Sequence, residues 1–284
     1  MPRKKKRKTI VYKNLLEDDF AGTAIKKEEV GADFPYIRDS LAWKICSWLL
    51  YYLVAIPIVY GISKLYLGMR FENRKALRGL SSGGYFFYCN HTHLLDVFII
   101  PLAAFPKRVY TVAGADAVSI RGLKRLVMLL GCLPIPTKIS ALPGYRKVIR
   151  RRYEEGSCIA IFPEAHIWPY YTGIRPFGDT SFTYPARLDA PVVAATVTYR
   201  RRRGLFRFYR KPGMTVHIGS PIYGEGAGPR ERKTILRDQV YAYMCKTVSE
   251  RENIAYIRYV PAEEAGKNDG ADYKSISRKE EHRK

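Results

Sequence analysis

The longest apolar stretch of the chain lies near its N-terminus, where nineteen residues between Lys44 and Lys64 carry no charge. As a helix, residues 45–63 would extend about 28 Å at about 1.5 Å per residue, close to the hydrocarbon thickness of a bilayer. Three tyrosines and Pro57 make the stretch less apolar than a standard single span. The pattern predicts a membrane-associated helical segment that spans the bilayer, enters it as a hairpin or lies tilted in its interface. A buried core helix is the alternative.

Farther along the chain, short apolar runs alternate with patterns of helical period. Strand-like runs occupy residues 85–89, 109–113, 132–136, 157–162, 191–199 and 214–218, and helical patterns occupy residues 120–130, 145–153 and 229–250. This alternation predicts an α/β domain. We divide the chain into a polar, basic and loosely ordered lead-in, the membrane-associated segment, one main domain and a polar, disordered tail, with boundaries at 1–40, 41–69, 70–252 and 253–284.

Charge points to anionic partners. Lysine and arginine number 49 against 26 aspartate and glutamate, which gives a formal charge of +23. Such a field suits phospholipid headgroups, nucleic acid or an acidic carrier protein. Basic residues from Lys64 to Arg78 follow the apolar stretch, so the positive-inside tendency places the main domain on the cytoplasmic face of the membrane. The basic run from Arg3 to Lys8 predicts a solvated or lipid-touching tail, with a nuclear address as the alternative.

The sharpest local feature is the segment from Tyr88 to Asp96, where a strand-like run ends and a helical one begins. His91 and Asp96 are five residues apart across this turn, so the carboxylate can orient the imidazole and leave its other nitrogen free to take a proton from a hydroxyl. Taken alone the pair is a weak signal, because Asp96 could simply cap a helix. We interpret His93 as a packing histidine.

A second apolar strand ends in a polar turn at Phe162-Pro163-Glu164. Glu164 could accept hydrogen bonds from a substrate hydroxyl or hold a neighbouring cation, and Pro163 stiffens the turn through its fixed φ. The alternative for Glu164 is a capping or surface glutamate.

Four blocks occur in a fixed order, each at a strand end: Asn90-His91-x4-Asp96, Gly131 to Pro136, Phe162-Pro163-Glu164 and Ala190 to Val193. In this order they resemble the 1-acyl-sn-glycerol-3-phosphate acyltransferases over residues 70–222. The resemblance implies a central mixed β-sheet flanked by helices, preceded by a membrane element. It also makes residues 70–252 an acyltransferase catalytic domain for phospholipid biosynthesis.

The resemblance implies a role for each matching residue. His91 deprotonates the acceptor hydroxyl, which attacks the thioester of acyl-CoA or acyl carrier protein, and Asp96 orients His91. Phe162, Pro163 and Glu164 bind a lysophosphatidic acid-type acceptor, and Gly131 belongs to the same binding site. The reaction needs no cofactor and no metal. The expected partners are membrane phospholipid and the acyl donor, without a specific nucleic acid.

The chain departs from the family pattern at two arginines that bind phosphate. Ala165, His166 and Ile167 follow Glu164 where Gly-Thr-Arg is common, and Thr137 replaces an arginine. A guanidinium binds phosphate with a fork that lysine does not reproduce. Either another cation takes over or the acceptor is a different lysolipid or aminolipid; the candidate residues are Lys138, His166, Arg146 and Arg175.

Two aromatic segments stay open to more than one interpretation. Residues 166–171 could line an acyl or headgroup channel, sit at the bilayer interface, or form a packed loop. Residues 200–211 mix arginines with aromatic side chains and predict a basic β-hairpin that docks on anionic lipid, although RNA could be drawn to the same surface. A non-catalytic basic membrane- or RNA-binding protein is therefore the alternative to an enzyme.

Overall fold

A mixed seven-stranded sheet forms the centre of the molecule. The computed structural model describes residues 8–20, 28–120, 122–226 and 228–265. The sheet order is β2 (Arg70–Glu72), β8 (Gly213–Ile218), β7 (Val192–Arg200), β3 (Tyr85–Cys89), β6 (Cys158–Ile161), β4 (Val109–Ala113) and β5 (Cys132–Pro134). Strands β7 and β8 pair antiparallel, and the other neighbours pair parallel. The predicted α/β fold with a mixed sheet is confirmed.

Helices cover both faces of this sheet. They are α3 (Ile99–Ala104), α4 (Asp116–Ser119), α5 (Lys124–Leu129), α6 (Leu142–Glu154), α7 (Thr183–Leu188) and α8 (Pro229–Glu250). Strand β3 is buried along its whole length, with Phe87 in the core on one face and Phe86 and Tyr88 in the core on the other. Because side chains of a strand alternate between faces, a strand at the sheet centre must be apolar throughout.

The apolar stretch forms one continuous helix, Leu41–Leu65, built from α1 (Leu41–Trp48), a π-helical segment (Leu49–Ala55) and α2 (Ile56–Leu65). Within the part of the chain that the structure describes, it is the one helix long and apolar enough to cross a membrane. Tyr51, Val59 and Ser63 are buried against the domain. Tyr51 and Val59 would diverge by about 80° on a regular α-helix, and the wider π-helical turn brings them onto one face.

The opposite face of this helix is apolar and exposed. Its exposed large side chains include Leu41, Ile45, Trp48, Leu49, Leu53, Val54, Ile58, Ile62 and Leu65. The interpretation as a buried core helix is therefore wrong, because most of the apolar surface faces away from the protein.

Residues 8–12 and 257–265 are ordered, which corrects the predicted loose lead-in and disordered tail at these positions. Strand β1 (Lys8–Tyr12) pairs parallel with β9 (Ile257–Pro261), which leads into α9 (Ala262–Ala265). Tyr12 and Tyr259 both pack against the fully buried ring of Trp168, at centroid distances of 4.9 and 5.0 Å. Burial of this aromatic surface stabilises the pair of strands. Residues 3–7 of the basic run and residues 267–270 of the tail lie outside the described residues.

The basic-aromatic segment lies at the end of the antiparallel β7–β8 pair. Its basic and aromatic residues form the connection 201–212, which includes a 3-10 turn at Gly204–Phe206, and do not continue the strands. The predicted hairpin is therefore correct for the strand pairing, but its charged residues occupy a long loop.

Gly131, which precedes β5, has a structural reason to be glycine. Its φ is +99°, and a Cβ there would lie 2.6 Å from the backbone oxygen of Val109. We expect Gly131→Ala to lower the free energy of unfolding by about 2 kcal/mol, measured by urea denaturation. Gly144→Ala is the control, because its Cβ would meet nothing within 4 Å in α6. Gly144→Ala should be neutral or raise stability by up to about 1 kcal/mol. Equal stabilities of the two variants would contradict the prediction.

His217 of β8 connects three strands through its ring. Its Nδ1 lies 2.9 Å from a carboxylate oxygen of Glu72 on β2, and its Nε2 lies 2.9 Å from the hydroxyl of Thr198 on β7. Burial lowers the pKa of His217, and the Glu72 carboxylate opposes this shift.

This lowered pKa predicts a pH-dependent stability. The neutral ring favours folding above the ordinary pKa of 6.5, and this contribution is lost as the pH falls through the folded-state pKa. We expect the urea midpoint of the wild type to fall more between about pH 7.5 and about pH 5.5 than that of His217→Gln. Parallel falls in the two proteins would refute this assignment.

Candidate active site

His91 lies just beyond the carboxyl end of β3, at the middle of the sheet. The preceding residue, Asn90, extends the pairing of β3 with β7 through its side chain: Oδ1 accepts from the Val197 N–H at 2.8 Å, and Nδ2 donates to the Val197 carbonyl at 3.2 Å. Where β3 leaves the sheet, the Asn90 side chain makes the two hydrogen bonds to β7 that a backbone peptide group would otherwise make. The turn that carries His91 is thereby fixed at the edge where sites gather in α/β proteins.

Asp96 organises the turn after His91. Its Oδ2 accepts hydrogen bonds from the N–H groups of Thr92 at 2.6 Å and His93 at 2.7 Å, and lies 3.4 Å from Nδ1 of His91. Asp96 is fully buried, and the side chain of His91 is 11% exposed. Because a carboxylate only accepts, Nδ1 carries the proton and Nε2 is left as the base. The structure therefore brings together the two residues that the sequence paired.

Cysteine chemistry does not compete with this pair. Cys89 lies two residues from His91, is fully buried, and contacts the side chain of Asn90 at 3.7 Å. Burial raises the pKa of the Cys89 thiol well above its usual range, and the Asp96 and Glu164 carboxylates raise it further. A buried neutral thiol is a poor nucleophile, so Cys89 is not a candidate for the reactive group of this turn.

Glu164 lies beside the Arg175 guanidinium, which fits the predicted role of holding a neighbouring cation. It is buried, its Oε2 accepts from the His91 N–H at 3.0 Å, and its Oε1 accepts from the Arg175 N–H at 2.8 Å. Burial raises the pKa of Glu164, against the Arg175 charge and the two backbone donors. Both carboxylate oxygens therefore accept hydrogen bonds from backbone N–H groups, and through the bond to His91 Glu164 positions the turn.

Arg175 is also buried and bonds to other groups of the protein. Its side chain is 1% exposed and donates to the carbonyls of Leu15, Glu164 and His166. Its guanidinium also lies over the Trp168 ring, 5.2 Å from the centroid. The expectation that Arg175 could replace a phosphate-binding arginine is therefore wrong, because the group is buried and already bonded.

Phe162 forms one wall of the site. Its ring stacks on the His91 ring at a centroid distance of 4.4 Å and an interplanar angle of 24°. Pro163, half-buried, links Phe162 to Glu164. Ala165 then adopts a left-handed φ of 63°, at the position where the family pattern has glycine.

The segment 166–171 is a packed loop, so its interpretation as an open channel lining is wrong. The N–H of Trp168 donates to the His91 carbonyl at 3.2 Å, and that of Tyr170 donates to the Thr92 carbonyl at 2.8 Å. Trp168 is fully buried and Tyr170 is 8% exposed. His166 is part-exposed, with Nδ1 3.8 Å from Asp19. The loop therefore covers the back of the His91 turn.

Gly131 and Lys138 do not join His91. Gly131 lies at the amino end of β5, the opposite edge of these parallel strands, where its role is the backbone turn. Lys138 lies beyond β5, three strands from β3, which is about 14 Å at about 4.8 Å per strand. Its ammonium pairs with Glu29 at 2.5 Å, and both side chains are exposed.

Tyr199 is a site residue that the sequence did not reveal. Its hydroxyl lies 2.8 Å from Oγ1 of Thr92 and 3.1 Å from the Thr92 carbonyl. It belongs to an apolar strand run, so nothing in the pattern marks it. His93 packs edge-on against Tyr170 at 5.5 Å, and its Nδ1 accepts from the Leu95 N–H. The structure thus supports the interpretation of His93 as a packing histidine.

Comparisons with known proteins give a family and a similar solved structure. A family model described as Acyltransferase matches residues 68–216, a little more than half of the chain, and this range contains His91, Asp96 and Glu164. Among solved structures, the chain is similar to the 1-acyl-sn-glycerophosphate (LPA) acyltransferase PlsC from Thermotoga maritima. The two share 14% sequence identity with a TM-score of 0.49, over 75% of this chain and 89% of that chain. The search of curated proteins finds no match.

Proposed function

This chain belongs to the Acyltransferase family, and from that premise we propose that it acylates the hydroxyl of a lysophosphatidic acid-type acceptor in phospholipid biosynthesis, using acyl-CoA or acyl carrier protein. One observation carries the proposal: Asp96 orients the His91 ring, whose Nε2 is left as a base at the carboxyl edge of the sheet. A general base so placed suits removal of a proton from an alcohol.

The proposed mechanism has a single acyl transfer. Nε2 of His91 takes the proton of the acceptor hydroxyl, and the hydroxyl oxygen attacks the carbonyl carbon of the thioester. The C–S bond then breaks, and the leaving thiolate takes the proton from the imidazolium. Asp96 stabilises the transient positive charge on His91. No acyl-enzyme forms.

We place the reaction at a membrane surface. The exposed apolar face of the helix Leu41–Leu65 supports this, because a contiguous apolar surface of that size favours contact with lipid over water. Since the opposite face packs on the domain, the helix is proposed to lie in the interface of one leaflet. Lys64, Arg70 and Arg74 beside it favour the cytoplasmic leaflet.

The test is an acyl-transfer assay with the protein bound to vesicles that contain anionic phospholipid. Acyl-CoA and acyl carrier protein are each offered with lysophosphatidic acid, other lysolipids and aminolipids. The products are identified by mass spectrometry, and His91→Ala protein gives the background. Transfer to lysophosphatidic acid above that background supports the proposal.

Two other outcomes move the assignment. Transfer to a different lysolipid or aminolipid alone would keep the chemistry and change the acceptor. No His91-dependent transfer with any donor and acceptor would favour a binding protein. The salt dependence of binding would then show whether the ligand is nucleic acid or membrane. Nucleic-acid binding weakens steeply with ionic strength, whereas an apolar membrane contact persists.

A further inference from the structure

Arg202 and Lys211 are two of the cations in the β7–β8 connection that have no acid beside them in the described part of the chain. Arg202 and Lys211 form no ion pair with any carboxylate among residues 8–20, 28–120, 122–226 and 228–265, unlike Lys138, which pairs with Glu29. Nη1 of Arg202 is buried and has no acceptor within the same ranges. Positive charge that the protein leaves uncompensated is suited to an anionic ligand.

Tyr66, just past the end of the apolar helix, holds these two cations together. The ammonium of Lys211 donates to the Tyr66 hydroxyl at 2.6 Å, and Nη2 of Arg202 donates to the Tyr66 carbonyl. Nε of Arg202 donates to the Lys211 carbonyl at 3.0 Å. Both side chains are therefore pre-positioned, which lowers the entropy lost on binding.

The connection lies on the same side of the sheet as His91. Strands β3 and β7 are parallel with Cys89 opposite Ala195, so β7 continues past the end of β3 and its connection begins beyond the His91 turn. Tyr170 bridges the two regions, since its ring packs on His93 and Tyr199 at 5.5 and 5.2 Å.

Electrostatics agrees with this placement. Burial raises the pKa of Tyr170, and the charges of Lys211 and Arg202 oppose that shift. Burial lowers the pKa of His93, Asp96 opposes this, and the Lys211 charge lowers it further. The field of the connection thus reaches the residues next to His91.

We infer that Arg202 and Lys211 bind the phosphate of the lipid acceptor and orient its hydroxyl towards His91. The inference rests on the proposed function and names the groups that replace the two missing arginines. It assigns the site to the acceptor because the cations contact Tyr66 and Tyr209. The residues that precede these tyrosines, Leu65 and Phe208, are apolar and exposed, so a membrane-held amphiphile would arrive there. Nη1 of Arg202, which has no acceptor among the described residues, and the Lys211 ammonium supply two charged donors for a phosphate monoester.

The first test is steady-state kinetics on vesicle-bound protein. Lys211→Gln and Arg202→Gln should each raise the KM for lysophosphatidic acid about tenfold, with kcat and the donor KM within about twofold of wild type. Lys147→Gln is the matched control, because Lys147 is an exposed lysine on α6. A monoacylglycerol acceptor, which lacks phosphate, should show no difference among the variants.

Three kinetic results would overturn the inference: an unchanged acceptor KM in both variants, a rise in the donor KM, or an equal loss with monoacylglycerol. Wild-type protein that transfers acyl groups to no acceptor would instead sink the proposed function itself.

A second test needs no turnover and separates these failures. His91→Ala protein is treated with an amine-acetylating reagent, and the acetylation of Lys211 relative to Lys147 is measured by mass spectrometry. Lysophosphatidic acid should slow Lys211 acetylation severalfold while monoacylglycerol leaves it unchanged. Equal protection by both lipids would mean that the lipid chain covers the lysine without phosphate recognition, and would reject the site.

Discussion

Replacing His91 by alanine is expected to lower the rate of acyl transfer about a thousandfold while the protein stays folded. The change removes the nitrogen that accepts the hydroxyl proton, and general-base catalysis contributes between about a hundredfold and about ten-thousandfold. The His91 side chain is 11% exposed and its ring stacks on Phe162, so some packing is lost. His91 belongs to neither hydrophobic core cluster, so the core of the sheet stays intact. The measurement is product formation per bound enzyme, with circular dichroism as the check on folding.

The neighbouring histidine provides the control. His93→Gln removes a ring that packs on Tyr170 but leaves the His91–Asp96 pair, so its rate should fall less than tenfold. Equal losses in the two variants would show that the turn as a whole, and not the His91 base, governs the rate. Full activity of His91→Ala would refute the mechanism.

Glu164→Ala is expected to cause the largest loss of stability, about 3–5 kcal/mol in the free energy of unfolding. It leaves the N–H groups of His91 and Arg175 without their acceptor and strands the buried Arg175 guanidinium. Breaking a buried pair from one side costs more than the pair contributes, because the remaining charge stays desolvated. Urea denaturation at neutral pH measures the difference.

Two further variants distinguish this explanation from a general effect of losing a glutamate. Glu154→Ala removes an exposed carboxylate that pairs with Arg150 on the surface of α6, so stability should change by less than about 1 kcal/mol. Glu164→Gln keeps one acceptor oxygen and should lie between wild type and Glu164→Ala. A loss of less than about 1 kcal/mol for Glu164→Ala would show that the two backbone donors find other partners.

The elements with a strong local pattern could be predicted from the sequence. Strand β3 and helices α6 and α8 were predicted because apolar runs, helical spacing and the glycine at Gly156 are local signals, and Gly156 does adopt a left-handed φ of +75°. The meeting of His91 and Asp96 was predictable for the same reason, since five residues of one turn separate them.

The predictions that failed concerned the direction in which a side chain points and contacts between residues far apart in the sequence. A sequence shows that Glu164 and Arg175 are polar but not that their side chains turn inward to bond backbone. Gly131 matches a family block, yet its block begins at the opposite edge of the sheet. Strands β1 and β9 lie at the two ends of the chain, and a pairing of that kind has no local signal.

The pairing of β1 with β9 has a consequence for the time at which the enzyme matures. A ribosome releases the N-terminal end first, so β1 emerges early and has no partner until residues 257–261 are made. Closing so long a loop is entropically costly, which places this step late in folding. Trp168, whose backbone bonds to His91, gains its aromatic cover of Tyr12 and Tyr259 only then. The turn of His91 therefore gains this packing only after residues 257–261 have been made.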